Sequence, residues 1–517
     1  MGNDVAVRVN GGGEMCFCNS GKTLLLYTRK TVRRLSVINM ARLSFKTITL
    51  LMNVAAGIFL ASHAHAQLHA TQKEDVGFTA LQTQLGASMP TGAGISVSQV
   101  EAPDGSGNYR PSTATFSTKN FLFPSGGSTT ASGHANTVGQ YLYGSSSLSP
   151  DIGVSPNRVT SYEANSYLGA GFLNLSNTGA LPSVESNDIQ NHSWIANLNT
   201  EAQNVEAMRR IDYAIQRDDF VAVFGLNNGS GTSVPALMAG AYNGITVGLS
   251  NGNHSRGGIS LDGGLRTRPD IVVPTTATSW ATPTVGGAAA LLLETARGTS
   301  GLGNADRSEV VKSLLFTGAT RDESEFGGAW TNSPSQPLDA VFGAGELNVL
   351  HSHDILVAGE DNANAAATVA STGWDLGTSN STDPQLYFFD LNTPGFTFEI
   401  AASLVWNRNI AAVDNQRGPG LDYAFTPSLA NLNLRLFSAS GFTLGTEIGA
   451  SLSEVDNVEL ILADGLGPGR YAWQVTSDTS GLDYGFSWNV EGLTMVPEPS
   501  VCGLGLVSLM LLVRRRR

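Results

Sequence analysis

The chain has 517 residues and 54.1 kDa, enough for roughly two to four domains with a sizeable core. Charged residues are only 14% of it, against roughly 25% in ordinary globular proteins, while glycine reaches 59 residues, the composition of a loop-rich exported protein. The formal net charge is -13 and the basic residues crowd the two ends, which excludes nucleic acid as a partner class. Cys16, Cys18 and Cys502 lie at opposite ends of the chain, so neither a disulfide framework nor a thiolate zinc site is expected.

Residues 1–66 read as a signal or leader region. From Met40, which is the expected start, Arg42 and Lys46 give a basic lead, 48–60 an apolar run, and Ala64-His65-Ala66 a small-residue cleavage site. Cleavage would leave Gln67 first. The fragment NSGKT at 19–23 lacks the upstream glycine of a phosphate loop and carries no function. In the following block the predicted elements alternate: a strand at 95–100, a helix at 201–217 with Val205, Met208, Ile211 and Ile215 at helical spacing, a strand at 220–224, a buried Ala- and Leu-rich helix at 283–296 and a second helix at 308–316. Alternation of this kind predicts an α/β domain over 77–358, a doubly wound, mainly parallel sheet covered on both faces. A Gly/Ala/Asn/Thr/Ser-rich join at 359–383 is expected to be a linker. Beyond it, 384–492 shows short alternating segments at 385–391, 433–437, 458–462 and 470–476 with no helical periodicity, which predicts a small antiparallel β-sandwich.

The last 22 residues, VPEPSVCGLGLVSLMLLVRRRR, combine Pro-Glu-Pro at 497–499, an apolar stretch at 501–513 and four arginines. This three-part tail resembles the PEP-CTERM sorting tails of Gram-negative bacteria. The resemblance implies a sorting machinery as partner, transient membrane association, and an exported protein at the cell surface or outside the cell. The apolar stretch is shorter than the about 20 residues that usually span a bilayer, which suits a transient transmembrane anchor held by the terminal arginines.

A serine nucleophile needs a base within hydrogen-bond reach, a carboxylate to orient that base, and donors for the oxyanion. Candidates occur in the order acid, His, Asn, Ser. ATSWATP at 277–283 opens the Ala-rich helix and places Ser279 among free helix N-terminal amides. RPDIVVP precedes it at 268–274. Together these stretches resemble the serine region of subtilisin-like proteases, with Thr278, Ser279, Ala281 and Pro283 matching and Ala277 in place of the usual glycine. The resemblance extends over about 270 residues through FGAGELNVL at 342–350, similar to the family's closing element, and it implies that Ser279 is the nucleophile of a serine endopeptidase acting on protein or peptide substrates.

In SGHANTVGQ at 132–140 only His134 and Val138 match the family's histidine motif, and the resemblance makes His134 the base. His192, in NHSW at 191–194, is similar to a strand end along the family's substrate cleft and is assigned no base role. In FVAVFGLNNG at 220–229, alignment on Gly229 makes Asn227 the oxyanion donor, with Asn228 as its neighbouring alternative. GAGISVSQVEA at 92–102 resembles the strand bearing the family's triad acid, but Glu101 stands where Asp is expected, a carboxylate displaced by on the order of 1.5 Å by its extra methylene. Asp104, in the next turn, is the alternative. No cofactor is required; DGSGN at 104–108 alternates oxygen side chains like a calcium loop but lacks the closing bidentate Glu. The degraded histidine motif and Glu101 also fit a catalytically inactive surface or matrix binding protein. A third reading, an adhesive or carbohydrate-binding sandwich, has no site residue in the sequence to carry it.

Overall fold

The computed structural model describes residues 72–177, 179–321, 326, 328–414 and 423–495. Near the start it describes only the backbone of three short strands, Val5–Val9, Gly13–Asn19 and Leu24–Leu25, which pair as one antiparallel sheet. The expected signal segment at 40–66 and the sorting tail at 496–517 lie outside the described residues. Among the described residues no helix is long and apolar enough to cross a membrane.

Strands β1 (Val97–Glu101), β2 (Phe121–Leu122), β3 (Val159–Glu163), β4 (Ile189–His192), β5 (Val221–Gly225) and β6 (Ile245–Leu249) are followed by an antiparallel hairpin, β7 (Gly257–Ile259) and β8 (Arg266–Arg268), and by β9 (Ile271–Val273). All but the hairpin form one seven-stranded parallel sheet in the order β9-β6-β5-β4-β1-β3-β2. Helices α1 (Phe78–Leu85), α2 (Gly133–Leu142), α3 (Glu201–Asp218), α4 (Thr278–Gly298), α5 (Ser308–Thr317) and α6 (Val349–Ala358) cover it. The central strands are buried on both faces, so they read as continuous apolar runs and their side chains divide by parity. Val221 and Val223 of β5 enter the core beneath α2 and α4, and Ala222 and Phe224 enter the core beneath α3. The domain is thus the doubly wound α/β sheet that the alternating elements imply.

Helix α3 starts at a capping box, in which Thr200 accepts from the Gln203 backbone and the Gln203 side chain accepts from the Thr200 N–H. It spans the predicted helix plus one residue. Helix α4 begins five residues before the predicted 283–296, because Pro283 falls inside it. Proline there removes the hydrogen bond to the carbonyl of Ser279, four residues earlier. The Ser193 hydroxyl takes that free carbonyl instead, at 3.1 Å.

The C-terminal block is a β-sandwich. The join expected as a linker supplies a strand to each sheet, β10 (Asn364–Thr368) and β11 (Gly373–Thr378). The rest are β12 (Gln385–Leu391), β13 (Phe396–Trp406), the paired β14 (Asn409–Asp414) and β15 (Tyr423–Ser428), β16 (Leu432–Ser440), β17 (Thr443–Ser451), β18 (Val458–Leu466), β19 (Gly469–Ser477) and β20 (Asp483–Met495). The two sheets run β10-β12-β19-β16-β17 and β11-β20-β13-β18 and enclose Tyr387, Trp406, Trp473, Phe486 and Trp488.

The sandwich is packed onto the α/β domain, and the described residues from 72 to 495 belong to one compact unit. Helix α5 is buried between the two: Ser313 Oγ donates to Ser487 Oγ at 2.6 Å, and the Thr317 and Ser403 hydroxyls bond at 2.8 Å. A side chain at Gly485 would meet the Glu309 carbonyl at 2.3 Å, so β20 can lie this close to α5 only with glycine there. Arg408, at the end of β13, reaches into the α/β domain, pairs with Asp212 at 2.7 Å and Asp262 at 2.9 Å, and lies over the Tyr242 ring at 4.0 Å. All three charges are buried, with 2%, 0% and 7% of their side chains exposed. Removing one partner of such a pair leaves an uncompensated buried charge. Arg408→Met is therefore expected to cost about 3–5 kcal/mol in urea unfolding at neutral pH; a loss below about 1 kcal/mol would show that the network does not hold the two blocks together.

Candidate active site

The carboxyl ends of β1, β4 and β5 and the N-terminus of α4 meet on one rim of the parallel sheet, where ligands of open α/β sheets bind. Glu101 is the last residue of β1 and is fully buried. Its Oε2 lies 2.7 Å from Nδ1 of His134. His134 sits in the first turn of α2, which Ser132 caps by accepting the Ala135 N–H. With 41% of its side chain exposed, the ring faces the rim. The hydrogen bond that His134 donates to Glu101 raises its pKa above the ordinary histidine value, against the opposing effect of partial burial. Asp104 faces elsewhere: its carboxylate accepts from the backbone of Ser106 and Asn108 and from the Asn108 side chain, closing its own turn. The Asp104 carboxylate is therefore spent within its own turn and Asn108 Oδ1 accepts from Ser128; among the described residues no group of three His, Cys, Asp or Glu could hold a metal.

Ser279 is the second residue of α4, where backbone N–H groups have no partner within the helix. The Trp280 ring beside it lies 5.4 Å from the His134 ring, tilted by 34°, and 5.9 Å from Tyr141 in a stacked arrangement. This contact brings His134 next to the start of α4. No direct hydrogen bond joins Ser279 Oγ to His134 among the described residues, and such bonds are often long before substrate binds.

Two asparagines follow β5, and both line a cavity of about 60 Å³ with Ser193, Trp194, Thr278 and Ser279. Asn227 is engaged through its backbone, its N–H donating to Ser255 Oγ at 3.0 Å. Asn228 Oδ1 accepts from the Thr278 N–H at 3.0 Å and from the Thr278 hydroxyl at 3.3 Å. With its oxygen so fixed, the NH₂ group of Asn228 is held beside the start of α4 and is uncommitted among the described residues. The signal that separates the two asparagines, an amide oxygen able to cap α4, was not visible in the Asn-Asn-Gly turn. The stretch past β4 continues along a larger open cavity of about 630 Å³, lined also by Ser233, Val234 and Arg256.

His192 is enclosed on the opposite face of the sheet. Tyr167, Trp194 and Phe224 surround it, its Nε2 lies 3.1 Å from Gln190 Oε1, and burial pushes its pKa down to about 3. It stays neutral and away from the rim, as a structural residue.

No protein-family model matches the chain, and no curated protein matches it. Solved structures similar to part of it include the MycP3 protease from the type VII (ESX-3) secretion system, at 17% identity over 53% of this chain and 86% of that one, with a TM-score of 0.34. A protease from Pseudoalteromonas arctica is similar at 13% identity over 53% of this chain and 94% of that one, TM-score 0.32. The subtilase cytotoxin SubAB is similar at 15% identity over 54% of this chain and 94% of that one, TM-score 0.35.

Proposed function

We propose that the chain is an exported serine endopeptidase. The observation that carries this reading is the Glu101–His134 hydrogen bond, set against Trp280 beside a serine at a helix N-terminus. In the reaction, His134 Nε2 takes the Ser279 proton as Oγ attacks the peptide carbonyl, and the oxyanion forms between the Ser279 N–H and the Asn228 amide. The imidazolium, steadied by Glu101, then gives its proton to the leaving amine, and the C–N bond breaks to leave an acyl-enzyme. Water, activated by the same histidine, releases the acid and frees Ser279. Asn228 takes the donor role in place of Asn227 because its oxygen is already bonded to the helix that carries the nucleophile. The tail and leader fit a protein sent to the cell surface by sorting machinery. A second reading, an inactive binding scaffold, draws support from the missing Ser279–His134 hydrogen bond.

Treatment with a fluorophosphonate probe, followed by mass spectrometric mapping, separates the two readings. Labelling of Ser279 that disappears in Ser279→Ala is expected; no labelling of the folded protein would leave the scaffold reading standing.

The labelling rate is also expected to depend on pH in a defined sense. His134 acts as base only when neutral, so the rate climbs through a midpoint above 6.5, and Glu101→Gln, which removes the cause of the raised pKa, shifts that midpoint downward. A midpoint unmoved by Glu101→Gln would disconnect the acid from the base.

Asn228→Ala is expected to slow labelling about 10²- to 10³-fold, the usual loss for one oxyanion donor, whereas Asn227→Ala leaves it within about tenfold. The reverse ranking would restore Asn227 to the donor role.

A further inference from the structure

Glu101 poses a problem of reach. A glutamate carries its carboxylate one methylene further from the strand than an aspartate and has one more rotatable bond, so a base held by it is less fixed unless something else restrains it. In this protein both carboxylate oxygens are occupied. Oε2 faces His134, and Oε1 accepts from Gln99 Nε2 at 2.8 Å.

Gln99 lies two residues before Glu101 on β1. The strand period of two puts both side chains on the face that packs against α2. Gln99 is completely buried. Its second amide hydrogen goes to the carbonyl of Ala135 at 2.9 Å, the residue after His134, so one amide ties the acid to the helix that carries the base. Its oxygen accepts the hydroxyl of Tyr143 at the other end of α2. The amide has one workable orientation. Both groups facing Nε2 are acceptors, and a flipped amide would set its oxygen against the Glu101 carboxylate and the Ala135 carbonyl.

Tyr143 is itself fixed. Its ring meets Phe116 edge-on at 5.0 Å and Phe121 at 6.0 Å. A side chain at Gly139 would lie 2.7 Å from the Tyr143 hydroxyl, so glycine one turn earlier leaves room for it. The result is a continuous buried line of hydrogen bonds, Tyr143 to Gln99 to Glu101 to His134, of which only the last group reaches solvent.

We infer that Gln99, oriented by Tyr143, is a positioning residue that locks Glu101 in the geometry needed to hold His134, and so allows a glutamate to serve as the acid. The inference rests on the serine endopeptidase reading for its catalytic meaning, but the restraint on His134 can be measured without turnover.

The test uses Gln99→Met, which keeps the length of the side chain and loses the amide. Histidine-selective ¹⁵N labelling of the full chain in the Ser279→Ala background, with His134→Gln to assign the resonance, gives the His134 titration directly. The midpoint is expected to fall toward the ordinary histidine value in Gln99→Met, whereas in a Glu101→Gln background Gln99→Met is expected to add no further fall, since Gln99 acts through the Glu101 carboxylate. With Ser279 restored, fluorophosphonate labelling is expected to slow by about 10- to 100-fold. A His134 midpoint that stays or rises in Gln99→Met overturns the inference, whatever the labelling shows. A midpoint that falls while the wild type does not label at all supports the restraint and sinks the protease reading instead. Should Gln99→Met fail to fold, Tyr143→Phe takes its place: it retains the two amide donations and frees the amide oxygen, and the midpoint is expected to fall by a smaller amount. No fall would overturn the inference there as well.

Discussion

Burying a carboxylate costs several kcal/mol unless donors meet it in good geometry, and the fully buried Glu101 is met on both oxygens, by Gln99 and by His134. Much of the rim follows from that requirement. The strand that carries Glu101 must lie in the middle of the sheet, between β3 and β4, where no water reaches it. Helix α2 must start beside its end so that His134 arrives as a donor. The opposite edge of the imidazole is then left toward solvent and toward Trp280, on the side where α4 brings in Ser279.

Helix α4 contributes in two ways. Its first N–H groups are free because every helix begins with unpaired donors. One is taken by Asn228 at Thr278. Pro283 frees the carbonyl of Ser279 in the same turn, and Ser193 at the end of β4 binds it. Ser279 is therefore held from two neighbouring strand ends, by Ser193 through its own carbonyl and by Asn228 through the N–H of the preceding Thr278. Behind the rim, Arg408 and the serine and threonine hydroxyls around α5 join the sandwich to the α/β domain through buried polar contacts.

The parallel sheet and the sandwich were legible because buried strands and alternating strands leave different apolar patterns, and α3 and α5 came within about two residues of their observed ends. The join at 359–383 was not. Its small polar residues match a linker in composition, yet β10 and β11 use them at a sheet edge and at a close approach to Trp488, where Gly373 leaves the space. At the site, motif order and the place of Glu101 at a strand end pointed to residues that the fold brings together on one rim, Glu101 against His134 and His134 beside the start of α4. Which of Asn227 and Asn228 bonds the start of α4 was not legible, because that rests on a hydrogen bond across 50 residues. Gln99 and Tyr143 carried no signal at all, since a Gln inside an apolar strand gains meaning only once α2 is laid beside it.

On the proposed reading this rim hydrolyses peptide bonds. Incubation with a broad peptide library, followed by selective tagging and sequencing of newly formed amino termini, tests it most directly. New termini are expected with the wild-type chain and none with Ser279→Ala. New termini equally abundant with Ser279→Ala, or absent from both, would contradict it.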